Sequence, residues 1–246
     1  MVSAKYVARC VAVYVKRALG EDKRATLITT SLAVVLLPMT VSAFFKTLSR
    51  VPPSIAGLVG NAYAITFGCT MGFLASILAS HIATVVRVDR VSRFIEVVLS
   101  TPLTPRGYAA SIAAASTISG LAGFAVMAAV YTCVSLFAPT PIARSILLSA
   151  STYVIALLVA ILTSLISVAI SFLAPRVSID PSRLSVLPSM AVFLAVVFVR
   201  SALSINALSQ QALYAFEGGL GAACAALAIA VSLIARRVRG EHLVAL

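Results

Sequence analysis

Two histidines, four cysteines and seven carboxylates are the side chains of this sequence that could ligate a metal, act as nucleophiles or exchange protons. Their spacing supports none of this chemistry. His81 and His242 stand far apart and neither belongs to a His-Glu-x-x-His run, so the zinc-protease pattern is absent. Cys10, Cys69, Cys133 and Cys224 are solitary in apolar or interfacial runs and read as small apolar residues. Lys5, Lys16, Lys23 and Lys46 each lack the preceding glycine of a phosphate-binding loop, and no Gly-x-Ser-x-Gly elbow occurs. The sequence therefore predicts no catalytic site, no metal and no cofactor. It also predicts no ATP bound through a Walker A loop.

The surrounding chain explains this scarcity. Of its 246 residues 61% are hydrophobic and 11% charged, and mean hydropathy is +1.08. A soluble domain of this size cannot hide that much apolar surface, which points to an all-α integral membrane protein forming one transmembrane domain over residues 1–246. Six apolar runs are candidate spans: Leu27 to Phe45, Leu58 to Val86, Ala109 to Ala138, Ile146 to Ala174, Leu184 to Val199 and Gly218 to Ala235. Lys and Arg fall unevenly between them, fifteen in the termini and alternate loops and four in the remaining loops. The positive-inside rule then predicts a multi-pass protein of the plasma membrane with both termini in the cytoplasm. The net charge of +12 is accounted for by topology and anionic lipid headgroups, and needs no nucleic acid. Every acid lies outside or at the edge of a run, which disfavours an ion-coupled carrier.

Three further stretches carry information. Residues 1–26 place Lys5, Arg9 and Lys16 on one side of a helix. Tyr6, Val7, Cys10, Val11, Tyr14 and Ala18 lie on the other, which predicts an amphipathic helix on the membrane surface or against a soluble partner. Gly68, Gly72, Ser76 and Ser80 recur every four positions, as at close helix contacts. A dimer seam, a sliding helix and ordinary intrachain packing are all compatible with them. Residues 199–218 suit a short re-entrant or surface helix. Most telling is the charged island 87–108. Val88, Val91, Ile95, Val98 and Leu99 form an apolar stripe at helical spacing, Asp89 and Arg93 are placed to pair, and Pro102 and Pro105 end the helix near Ser100. Glu96 lies outside the stripe, either as a docking carboxylate or as a solvated one.

The island resembles the cytoplasmic motif of ABC-2 type transporter permeases. In that family an acidic-Arg pair precedes Gly-Thr-Leu-Glu, two hydrophobic residues and Thr-Pro with a following Ser or Thr. Asp89-Arg90, Glu96, Leu99, Thr101, Pro102 and Thr104 match, Ile95 replaces Leu, and Arg93-Phe94 stand where Gly-Thr is usual. The resemblance implies a permease subunit with an interfacial N-terminal helix, six spans and a coupling helix between spans two and three. It further implies pairing with a second permease copy and docking on separate ATP-binding cassette subunits through Glu96, Leu99, Thr101, Pro102 and Thr104. The expected role is export of a hydrophobic or amphipathic substrate. A non-transporting membrane scaffold is the alternative.

Overall fold

The computed structural model describes residues 4–20, 31, 35, 38, 39, 41, 42, 44, 53–100, 102–173 and 209–237. The described residues are almost entirely helical and include no strand. Seven helices can be followed: α1 (Ala4–Gly20), α2 (Ala56–Val91), α3 (Phe94–Leu99), α4 (Pro105–Leu136), α5 (Pro141–Leu147), α6 (Ala150–Leu173) and α7 (Gln210–Arg237). Helix is the expected answer to an apolar solvent, because backbone groups in hydrocarbon must be satisfied within the segment. Four stretches are long and apolar enough to cross a membrane: Ala56–Val86, Pro105–Leu136, Pro141–Phe172 and Gln210–Arg237. They correspond to the second, third, fourth and sixth runs. The fifth run lies outside the described residues. In the first, the seven described residues are helical, with Val41 and Phe44 buried against Phe67 and Met71.

α2 is the centre of the bundle, packed along α6 on one side and α4 on the other. It has 36 residues, about 54 Å at 1.5 Å per residue, against a hydrocarbon core of roughly 30 Å. Its last turns therefore continue past the apolar window that ends at Val86. Small residues let the axes approach. A Cβ on Gly68 would lie 2.8 Å from Ile155 Cβ and from the Thr152 carbonyl oxygen, and one on Gly72 would lie 2.6 Å from Val159 Cβ. On the α4 side, a Cβ on Gly123 would lie 2.5 Å from the Ala75 carbonyl oxygen. Gly68 and Gly72 thus occupy the α2–α6 seam inside the chain. The buried Ser76 hydroxyl turns back to the Phe73 carbonyl at 2.6 Å.

Two local signals recur at the helix starts. Thr104 caps α4, its hydroxyl accepting from Gly107 N–H at 3.1 Å with Pro105 at the first helical position. Thr140 and Pro141 do the same for α5, with Ala143 N–H at 3.2 Å. α7 packs on α6 through Leu213, Cys224 and Val231, and only 17% of its apolar window is buried within the chain. Residues 210–217, expected in a separate re-entrant or surface helix, are the first two turns of α7.

Substitution tests the seam. Gly72→Ala should destabilise the bundle by about 1–3 kcal/mol through overpacking. Gly57→Ala, where a Cβ meets nothing within 4 Å, should be neutral or mildly stabilising. Thermal unfolding of both variants in detergent checks this, and equal behaviour would remove the seam as a constraint.

Candidate functional site

The island expected to form one continuous helix is split. α2 runs to Val91, Ser92 and Arg93 form a turn, and α3 covers Phe94–Leu99. Arg93 sits at φ 57°, ψ 13°, in the left-handed region that a non-glycine residue enters at a cost of roughly 1–2 kcal/mol. No glycine, proline or other local signal marks this kink in the sequence. The kink breaks the apolar stripe. Ile95 is buried and Val98 packs partly buried beside it, whereas Val88, before the kink, is 45% exposed. The helix does stop where the prolines require, at Leu99 with Ser100 as its cap.

α1 is docked on this junction. Its face of Val7, Cys10, Val11, Tyr14 and Val15 packs on Ile82 and Val86 of α2, Ile95 of α3, Leu103, and Tyr108 and Ile112 of α4. Lys5, Arg9 and Lys16 are exposed on the opposite side. At the centre lies Asp89, 1% exposed. The Tyr14 hydroxyl donates to its Oδ2 at 2.6 Å. Arg17 Nη1 donates to Oδ1 at 2.7 Å and to Oδ2 at 2.9 Å. The Tyr14 and Tyr108 hydroxyls are 3.1 Å apart, their rings meeting edge to face. The same Arg17 guanidinium lies 5.6 Å from the centroid of the Phe94 ring.

The pairing of Asp89 with Arg93 expected from their spacing is therefore replaced by a long-range one with Arg17. The cause is geometric: the left-handed turn at Arg93 ends the helix on which a four-residue spacing would bring the two together. Burial, then the neighbouring Tyr108 and Asp89, push the Tyr14 phenol far above its ordinary range, so it stays a donor. Burial also raises the Cys10 thiol, with a hydrogen bond to Ser111 acting against it.

The residues expected to couple to a partner are distributed as follows. Glu96 is exposed in the first turn of α3, Leu99 is its last residue, and Pro102 is exposed beyond it. Thr104 is the cap of α4, and Thr101 lies outside the described residues. Phe94, 42% exposed, and Val97 flank Glu96. This short helix has a buried foot, Ile95, and an outer surface of two large apolar side chains with one carboxylate. Sequence reasoning missed the Asp89, Arg17, Tyr14 and Tyr108 cluster. The available signal was an acid at the end of a long apolar run and a tyrosine inside the apolar face of α1. Among the described residues no three His, Cys, Asp or Glu side chains are grouped as metal ligands. No family model, no curated protein and no solved structure matches the chain.

Tyr14 yields a pH prediction. Its folded-state pKa is raised above an unfolded value of about 10. Its contribution to stability is therefore fully present below that pH and declines above it, by up to about 1.4 kcal/mol per pH unit. Tyr14→Phe should be less stable than the native chain by about 1.5–3 kcal/mol near neutral pH, the worth of a hydrogen bond to a charged group. Between pH 10 and 11 the gap should narrow. Denaturant unfolding of both chains measures it, and parallel loss across that range would show that Tyr14 is not the buried donor.

Proposed function

We propose that the chain is the membrane-spanning permease subunit of an ATP-driven exporter of the ABC-2 type, with six spans and both termini in the cytoplasm. Residues 87–108 dock on a separate ATP-binding subunit in this reading. The observation that carries it is α3, a six-residue helix set apart by a kink, anchored by Ile95 and presenting Phe94, Glu96 and Val97 outward. A bare connector between two spans has no need of such a surface. The motif resemblance covers this helix through Glu96 and Leu99, while Phe94 stands where the family has another residue. The cations of α1 and of the 87–108 segment belong to one end of the bundle, as expected of a cytoplasmic end.

The chain supplies pathway and coupling, and ATP closure of the partner subunits supplies energy. Two permease copies enclose the path of a hydrophobic or amphipathic substrate, which alternating access at their interface moves outward. The faces of α4 and α7 left uncovered in the single chain, with Ile118, Leu121, Val126, Ile229 and Leu233 exposed, are suited to lipid or to that second copy.

Orientation is checked by cysteine labelling in intact cells. Thr140→Cys and Gln210→Cys should react with an impermeant reagent from outside and Ser92→Cys should not. Reaction at position 92 would invert or abolish the topology.

Docking is checked in a complex reconstituted with a co-expressed ATP-binding cassette subunit, sought first among the reading frames neighbouring this one. Glu96→Arg should lower partner recovery by at least about tenfold, since in this reading Glu96 meets a basic group of the partner and a like charge set against it costs several kcal/mol. Pro102→Ala should uncouple ATPase from transport by letting α3 extend. Both variants should insert normally. Full partner binding and full transport in both would reduce the segment to a linker and remove the main support for the ABC reading.

A further inference from the structure

We infer that Arg17 and Asp89 are positioning residues that fix the angle between α2 and α3, so that α1 and α3 move as one body. Asp89 lies one turn before the kink at Ser92-Arg93, and Phe94 follows it directly. Arg17 comes from a third helix. It holds Asp89 through Nη1 at 2.7 and 2.9 Å and lies over the Phe94 ring at 5.6 Å. One guanidinium therefore spans the kink from outside it.

The need for such a clamp follows from the size of α3. Six residues form too short a helix to persist through its own backbone bonds, so its direction is set by tertiary contacts. Ile95 holds it from below. On its first turn, Phe94 is held by Arg17. The apolar side of α1 consists largely of valines, which tolerate sliding along α2 and α4. A buried carboxylate paired with a part-buried guanidinium gives α1 its register instead. Arginine suits the task because one nitrogen, Nη1, can bond the carboxylate while the planar group to which it belongs faces a ring, so that one rigid group makes both contacts.

The inference concerns the chain alone; only its consequence for transport rests on the coupling reading. The two fail separately, since loss of partner binding sinks that reading, whereas the following experiment contains no partner.

The full chain in lipid nanodiscs is alkylated with a maleimide and followed peptide by peptide by mass spectrometry. Cys10 reports α1 docking, because it sits in the α1 face against α4. Cys69 and Cys224, buried in the α2–α6–α7 packing, report the bundle. Separately, spin labels at Ala12→Cys on α1 and Val97→Cys on α3, with the four native cysteines replaced by alanine, report the angle as a distance distribution. The native chain should protect Cys10 and give one narrow distribution.

Asp89→Asn should accelerate Cys10 alkylation roughly tenfold or more, as expected for local opening, while Cys69 and Cys224 stay at native rates. Arg17→Lys, which keeps the charge but not the plane, should leave Cys10 protected and broaden the distribution. Phe94→Leu should match Arg17→Lys. Overturning results are Cys10 within about twofold of native in Asp89→Asn, all three cysteines accelerating together, or an unchanged distribution in Arg17→Lys and Phe94→Leu.

Discussion

A carboxylate withdrawn from water at the end of a membrane-spanning helix must be compensated nearly in full, because each unmatched charge costs several kcal/mol in a low-dielectric setting. Asp89 meets this condition with one guanidinium and one phenol, both from α1. The placement of the N-terminal helix follows from that demand. Once Tyr14 and Arg17 must reach Asp89, the rotation of α1 about its axis is set. Val7, Cys10 and Val11 then turn toward α2 and α4, and Lys5, Arg9 and Lys16 turn away. The burial of Ile95 and the location of Phe94 beneath Arg17 belong to the same arrangement. A single interaction thus orders one helix outside the bundle and one between two spans.

The bundle itself is ordered differently. Its hydroxyls are largely satisfied within their own helices. Thr66, Thr70, Thr163, Ser164, Ser167 and Ser171 each donate to the carbonyl four residues earlier, at 2.7–2.9 Å. Such groups impose little on the neighbouring helix, so the fit between spans is decided by shape. Glycine and alanine permit close approach of α2 to α6 and α4, and dispersion across that seam replaces the hydrophobic drive that lipid removes. Ser116 is a departure, reaching the carbonyls of Ala79 and Ser164, both at 3.3 Å. It ties α4 to both neighbours at once.

How much of this was legible depends on whether the cause was local. Runs of apolar residues are a local property, and four of the six runs appear as helices able to span. The stop at Leu99 and the caps at Thr104 and Thr140 were equally local, since proline fixes its own backbone and that of the residue before it. The amphipathic character of residues 4–20 was visible too, but not what its apolar face would cover. Asp89 shows the limit. A partner four residues away was the natural local choice, and the actual one is 72 positions distant. The kink was invisible for the same reason. Nothing in Ser92-Arg93 favours a left-handed residue, and only the contacts on either side of it make that conformation worth adopting. Gly68 and Gly72 stood between these cases: their spacing announced close packing, and the partner helix came only from the fold.

The choice of arginine at the kink bears on how force could cross it. Glycine would enter the left-handed region without steric cost, yet it would also leave α3 free to pivot, because its backbone has more accessible states to explore. A side chain at position 93 restricts those states and accepts a strain of the order of 1–2 kcal/mol. Asp89 is 1% exposed and Arg17 23%, and a buried carboxylate left without its partner is strongly unfavourable. The need of Asp89 for compensation therefore favours the bent form. In the proposed complex a push on Phe94, Glu96 or Val97 meets a stiff corner rather than a hinge. It is passed to α2 through the kink and to α1 through Arg17. Stiffness at this corner requires three things together, the restricted residue at 93, the buried carboxylate at 89 and the ring at 94, so residues 89–99 are better described as a braced elbow than as a loop.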